Sequence, residues 1–155
     1  SFQTYLANSQ RSMALTTEQA ESIAALLNAR NVLTVSYYKH KVLKEDKDYL
    51  LRSSPEGKVI ACVQLKKVQW YQCEVLHLTV DVEHERQGHA KTLLKDCEVL
   101  AHARHARILQ CTIRSDNTAS KCLFQSFGFV KVSAFLNEVS GNNVEVWQKV
   151  LATTK

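Results

Sequence analysis

At 155 residues, 45% hydrophobic and 23% charged, the chain has the composition of one folded domain with a sizeable core, which excludes wholesale disorder. Four Gly and one Pro exclude a collagenous or low-complexity chain. The formal charge of +5 admits an anionic ligand but is equally that of a solvated surface, and no apolar run approaches the ~18 residues of a membrane span.

The one methionine, Met13, stands just ahead of a good helix start, so residues 1–12 are expected to be an extension or cloning remnant outside the core. No secretory apolar segment is seen there, and no membrane association is expected. Thr16 and Thr17 are candidate N-caps, with acidic residues from Glu18 to Glu21 in the first turn. Ile23, Leu26 and Leu27, flanked by Ala20, Ala24 and Ala25, repeat at helical spacing over residues 17–30. The next stretch, "VLTVSYYKHKVL" (32–43), fits helix and strand equally.

"DYLLRS" (48–53) and "VIACVQLKKV" (59–68) flank "SPEGK", whose Pro-Glu-Gly order supplies turn chemistry, and together they read as a hairpin. "CEVLHLTVDV" (73–82) is a third strand. Two-residue alternation puts Glu74, Leu76, Leu78 and Val80 on one face and Val75, His77 and Thr79 on the other. From Gly88 the period changes. Leu93, Leu94, Cys97, Leu100 and Ala101 form an apolar stripe, with Lys91, Lys95, Glu98, His102 and His105 off it, which predicts a helix over 88–105.

"RILQCTI" (107–113) reads as a strand and "DNTASKCLFQSFG" (116–128) as a short helix, capped by Asp116 or Asn117 and ended by Gly128. "FVKVSAFL" (129–136) and "VEVWQKVL" (144–151) are strands around the hairpin loop "NEVSGNN". From 48 onward the order is β-β-β-α-β-α-β-β. Antiparallel strands come first, then one β-α-β crossover, expected to be right-handed and to pair two strands in parallel. That is an α/β or α+β layered domain, with no internal repeat or linker.

Cys62, Cys73, Cys97, Cys111 and Cys122 are odd in number, include no C-x-x-C pair and lie in apolar runs. Buried free thiols in a reducing compartment, the cytoplasm, are expected rather than a disulfide framework. Nothing places a base beside Cys111 or Cys122 to make either a nucleophile. In "AHARHAR", His102 and His105 lack further ligands in a recognisable pattern, and the cations suit a helix C-terminus. A solvated face is expected there, with no metal and no nucleic-acid partner.

"EHERQGHAKTLL" (83–94) carries the chain from strand through loop to helix. The first N–H groups of a helix lack intrahelical partners, and the macrodipole makes that end a site for anions. Gly88 permits close approach and positive φ, and Ala90 keeps the first turn uncluttered. Arg86, His89, Lys91 and Thr92 can add charge or hydroxyl contacts to a phosphate. Taken alone, the stretch also reads as an ordinary loop before a helix.

The loop Glu85-Arg86-Gln87-Gly88-His89-Ala90 is followed by an "N-x6-F-x3-G-F" run made by Asn117, Phe124, Gly128 and Phe129. Together they resemble the GNAT superfamily of acetyl-CoA-dependent N-acetyltransferases, whose pyrophosphate loop reads [Q/R]-x-x-G-x-[G/A] at the same corner. The likeness covers residues 74–129. It implies a single N-acetyltransferase domain of GNAT fold: a mixed, mostly antiparallel central sheet with a β-α-β core and helices on both faces. It also implies acetyl-CoA as cosubstrate, an amine as acceptor, and a monomer or homodimer. Leu78, Thr79 and Val80 would offer backbone groups to the pantetheine arm and to the oxyanion. Arg86, Gln87, Gly88, His89, Ala90 and Lys91 would wrap the pyrophosphate, helped by Thr92. Asn117 would reach the pantetheine or thioester end, and Phe124 would pack near the sulfur.

Two positions depart from the pattern. Glu85 stands where the family prefers Gln or Arg, and its carboxylate would repel a pyrophosphate unless turned away or paired with Arg86. Phe124 stands where many members carry a Tyr that serves as the acid for the departing thiolate.

Transfer to an amine needs a neutral nucleophile, and a lysine-like ammonium with a pKa near ~10.4 must first lose a proton. Glu74 lies fourteen positions before Gly88, the offset of the catalytic glutamate in the histone-acetyltransferase branch, which also has Phe at the position of Phe124. A carboxylate among Leu76, Leu78 and Val80 would be partly desolvated and its pKa raised towards neutrality. His77 or a water relay is the next choice of base. A thiol with a pKa near ~8.5 leaves tolerably without a dedicated acid. The reaction expected is direct attack by a primary amine in a ternary complex, with peptide or protein amines ahead of small molecules. A non-catalytic acyl-CoA-binding or sensing module is the alternative, motivated by Glu85 and Phe124.

Overall fold

The computed structural model describes residues 14–30 and 38–152, so the expectation for residues 1–12 and the ambiguous residues 32–37 lie outside it. Helix α1 spans Thr17–Arg30 and a short helix α2 Lys39–Lys44; a 3-10 turn, Asp46–Asp48, leads into β1 (Tyr49–Ser53), β2 (Val59–Gln69) and β3 (Gln72–Val80). A second 3-10 turn, Val82–His84, precedes α3 (His89–Ala103), β4 (Ile108–Arg114), α4 (Thr118–Ser126), β5 (Val130–Leu136) and β6 (Asn143–Val150). The order read from the sequence is the observed one, with small boundary shifts.

The strands hydrogen-bond in the order β1-β2-β3-β4-β6-β5. β1 with β2, β4 with β6 and β5 with β6 run antiparallel, while β3 and β4, joined through α3, run parallel. The mixed sheet with a β-α-β crossover is therefore present. The chain divides into two compact units, one ending at Leu65 and resuming over His77–Cys97, the other made of Lys66–Leu76 and the residues from Glu98 on. β2, β3 and α3 each give residues to both.

In the first unit, Thr16 rather than Thr17 caps α1. Its hydroxyl accepts from the Gln19 N–H at 3.0 Å, and the Gln19 side chain accepts from the Thr16 N–H at 3.0 Å, a reciprocal capping box. The apolar stripe of α1 (Ala20, Ile23, Ala24, Leu26, Leu27) is buried with Val42, Tyr49, Leu51, Val59 and Cys62. Ile23 and Leu27 are fully covered, each worth roughly 1.5–3 kcal/mol against exposure. The hairpin turn closes as its sequence requires: the Ser54 N–H donates to the Lys58 carbonyl at 2.8 Å, and Gly57 takes a φ of 88°.

β3 departs from simple alternation. His77 has a φ of 56°, left-handed backbone inside a strand, so the pleat is interrupted between Leu76 and Leu78. Its carbonyl receives the Thr79 hydroxyl at 3.1 Å and the Cys62 thiol at 3.9 Å. The strand ends at Val80, not Val82. Two-residue periodicity is a property of continuous extended chain, and it cannot be carried through a left-handed residue.

In the second unit the two helix ends share one device. At the end of α3, His105 takes a φ of 61° while Ala106 N–H donates to Ala101 O at 2.9 Å and His105 N–H to His102 O at 3.0 Å. At the end of α4, Gly128 takes a φ of 89°, Phe129 N–H donates to Phe124 O at 3.1 Å and Gly128 N–H to Gln125 O at 3.0 Å. Both are Schellman closures. The basic "AHARHAR" run is thus a helix terminus.

Candidate functional site

The corner between β3 and α3 lies wholly in the first unit. The Asp81 N–H donates to the Ile60 carbonyl at 2.7 Å, and the 3-10 turn that follows is pinned by His84 Nδ1, 2.9 Å from Asp81 Oδ2. Arg86 (φ 63°) and Gly88 (φ 83°) are both left-handed, a backbone conformation that Gly88 adopts without strain. The Gly88 carbonyl accepts from the Thr92 N–H at 3.1 Å and from the Thr92 hydroxyl at 2.9 Å. Gly88 is therefore the N-cap of α3, and among the described residues no side chain caps the N–H groups of His89, Ala90 and Lys91. A Cβ built on Gly88 would meet nothing within 4 Å. Free donors at a positive helix end fit a phosphate.

The side chains of this corner divide. Arg86 and Lys91 are exposed. Thr92 spends its proton on the Gly88 carbonyl rather than on a ligand. His89 Nε2 lies 3.2 Å from Gln87 Oε1, while Nδ1 is buried without a partner. Burial depresses the His89 pKa, helped by the charges of Arg52 and His84, so the ring favours its neutral form and brings no cation to the corner. Glu85 does not pair with Arg86: its carboxylate accepts from the Arg30 guanidinium at the end of α1. Leu78, Thr79 and Val80 are the last three residues of β3, beyond the left-handed His77, with Thr79 buried.

Glu74 sits in the second unit, at the last of three paired positions between β3 and β4. The register lines it up with Gln110 on β4 and Gln148 on β6. Gln148 Nε2 donates to Gln110 Oε1 at 2.6 Å, and Gln110 Nε2 donates to Glu74 Oε1 at 3.3 Å. The second carboxylate oxygen, Oε2, is buried and has no partner. Burial pushes the Glu74 pKa above the usual carboxylate range, and the Gln110 hydrogen bond pulls it partway back. One oxygen is held and the other is a buried, unsatisfied acceptor, which is what a proton acceptor needs.

The other candidates are less suited to proton transfer. Burial, with a contribution from Lys41 and against one from Glu45, takes His77 down to about 4. An imidazole that acidic is a poor base at neutral pH. Cys111 is driven up to about 12 by burial and by the Glu74 charge, and Cys62 likewise to about 12 by burial, so both stay protonated and inert. Cys62, Cys73, Cys97 and Cys111 are buried free thiols as expected, but Cys122 is exposed on α4, because it lies off the face that buries Phe124.

Asn117 caps α4, its Oδ1 accepting from the Ser120 N–H at 3.1 Å. Phe124 is buried with its ring edge-on to Phe129 at 5.0 Å, the apolar contact that accompanies a Schellman closure. The "N…F…GF" run thus encodes the start, stop and staple of one helix. Among the described residues no group of His, Cys, Asp and Glu could hold a metal ion.

Sequence reasoning missed Gln110, Gln148 and Arg30. Gln110 carried a usable signal, a polar residue inside the apolar strand "RILQCTI"; Arg30 carried none.

Residues 14–129 match the acetyltransferase (GNAT) family, and the chain belongs to that family. Among solved structures it is similar to Ard1 from Thermoplasma volcanium (16% identity, TM-score 0.79, covering 91% of this chain and 97% of that one). It is similar as well to the ribosomal-protein-S18-alanine N-acetyltransferase of Escherichia coli (18% identity, TM-score 0.73, 92% and 94% covered). A third is yncA from Salmonella typhimurium, a protein described with acetyl-CoA as its cofactor (16% identity, TM-score 0.76, 92% and 94% covered). These likenesses show the GNAT fold. No curated protein matches the chain by sequence.

Proposed function

We propose that this GNAT-family acetyltransferase uses acetyl-CoA to acetylate a primary amine, with peptide or protein amines as its substrate class. When bound, acetyl-CoA supplies an acetyl group activated as a thioester. The N–H groups of His89, Ala90 and Lys91, with the side chains of Arg86 and Lys91, would hold its pyrophosphate. Leu78, Thr79 and Val80 would meet the pantetheine arm through their backbone. Glu74 Oε2 takes the proton of the incoming ammonium, so that the amine attacks as a neutral nucleophile without a covalent enzyme intermediate. Phe124, staple of α4, donates no proton, and the thiolate leaves on its own acidity.

The observation that carries this reading is the Glu74 carboxylate: one oxygen steered by Gln110, the other buried and unsatisfied, the pKa raised. Peptide amines are favoured because a fold neighbour acts on a ribosomal-protein alanine, and another, the NatC complex, is described bound to a peptide and CoA. Buried thiols at four of five cysteines suit a reducing compartment such as the cytoplasm.

The test is incubation with acetyl-CoA and a panel of peptides with free α-amino groups, lysine peptides and small amines, following free thiol and coenzyme binding together. Turnover with a peptide supports the proposal. Binding without turnover on any amine makes the chain a non-catalytic acyl-CoA-binding module, and neither binding nor turnover overturns both readings.

A further inference from the structure

A carboxylate at the first position of a phosphate-holding loop is an electrostatic fault, and the fold corrects it from a distance. Glu85 has extended backbone (φ −65°, ψ 157°) and is followed by left-handed Arg86. Its carboxylate is held by the guanidinium of Arg30, which lies 55 positions earlier in the last turn of α1. Arg86 is the nearer cation in sequence, yet among the described residues its side chain has no ion-pair partner. The pairing with Arg30 therefore does two things. It cancels the charge that would oppose a pyrophosphate, and it keeps Glu85 from capturing the cation best placed to meet one.

We propose that Arg30 is a positioning residue for coenzyme binding, acting through Glu85. This rests on the reading that residues 86–91 hold the pyrophosphate. Both partners are partly exposed, with side-chain accessibilities of 36% and 43%, so the pair itself contributes little to stability. Its effect falls on the ligand. Without Arg30 the loop presents Glu85 unmasked, and Arg86 is drawn to its neighbour.

The experiment is calorimetric titration with coenzyme A at low and physiological ionic strength, using Arg30→Ala, Arg30→Lys, Glu85→Gln and Arg30→Ala/Glu85→Gln. Arg30→Ala should weaken binding about fivefold, as unmasking one partly screened charge implies. The loss should shrink as salt rises. Arg30→Lys should retain most of the affinity, and Glu85→Gln should bind at least as tightly as wild type. The double variant should match Glu85→Gln, because with no carboxylate there is nothing for Arg30 to mask. A fivefold loss that persists in the double variant overturns the proposal, since Arg30 would then act on the coenzyme or the fold directly. So does Arg30→Ala binding like wild type, while the coenzyme reading stands. Failure of the wild type to bind coenzyme A removes that reading and this proposal together.

Discussion

Gln148 donates its amide to Gln110 Oε1 at 2.6 Å, and that contact decides which end of Gln110 faces Glu74. With its oxygen committed to Gln148, Gln110 can offer only its NH2 group to the carboxylate. Three residues on neighbouring strands of one register row thus form a directional chain, and its last member has one steered and one unsatisfied oxygen.

Breaking the chain should move the pH dependence of turnover. Gln148→Leu frees Gln110 to rotate, and Gln110→Ala removes the donor outright. Gln110→Ala loses the hydrogen bond that lowers the Glu74 pKa, and Gln148→Leu loosens it, so desolvation is less opposed. A base must be deprotonated to act, so the acidic limb of the kcat/KM profile should shift to higher pH. Profiles superimposable on wild type in both variants would remove Gln110 from the proton-transfer apparatus.

Glu74→Gln should lose activity and gain stability. The folded-state pKa of Glu74 is raised, so the folded chain binds a proton more tightly there than the unfolded chain does. Its contribution to stability is present below the unfolded pKa and is lost as pH rises through the folded value. Removing the charge recovers that loss at pH 7.5, where the carboxylate is otherwise ionised in a partly desolvated position. Turnover should fall about 10²- to 10⁴-fold, the usual worth of general-base catalysis. Urea denaturation at pH 4.5 and pH 7.5 checks the first part: a variant less stable than wild type at the higher pH contradicts it.

The elements were legible because the chain punctuates them: a threonine ahead of α1, Pro55 and Gly57 in the hairpin, Asn117 and Gly128 at the two ends of α4. Glu74 and the Gly88 corner stood out as candidates only through the resemblance to the GNAT pattern. Arg30 and the two glutamines were not, because their roles arise from strand register and long-range pairing, which no local pattern encodes. The reading of β3 failed at His77 for a related reason. Nothing in "EVLHLTV" announces left-handed backbone at a histidine, since only the folded surroundings hold it there.

That histidine should make the fold acid-sensitive. His77 titrates near 4 in the folded chain and near ~6.5 when unfolded, so the unfolded chain binds the extra proton between those values. The stability it contributes is present above the unfolded pKa and is lost as pH falls towards the folded one, by roughly 3 kcal/mol. His77→Asn, which tolerates left-handed backbone, should flatten the fall in melting temperature between pH 6.5 and pH 4. If wild type and variant lose stability in parallel over that window, other groups carry the acid sensitivity.

Gly88 and Gly57 offer a controlled comparison of what a glycine does at the phosphate corner. Both are left-handed, at φ 83° and φ 88°, and an added Cβ would meet nothing within 4 Å at either. Gly→Ala at each position should therefore cost a similar conformational strain, about 1 kcal/mol. The consequences for coenzyme A should differ. Gly57 turns the β1–β2 hairpin, and its variant should bind as wild type does. Gly88 caps the helix whose N–H groups are proposed to hold the pyrophosphate, so on that reading its methyl group would occupy space that phosphate oxygens need, and affinity should fall at least about tenfold, a change of ~1.4 kcal/mol. Measuring denaturant stability and coenzyme A affinity on both variants separates strain from site. Equal stability losses with an affinity loss confined to Gly88→Ala fit the cradle; equal affinity losses in both would make the corner an ordinary turn.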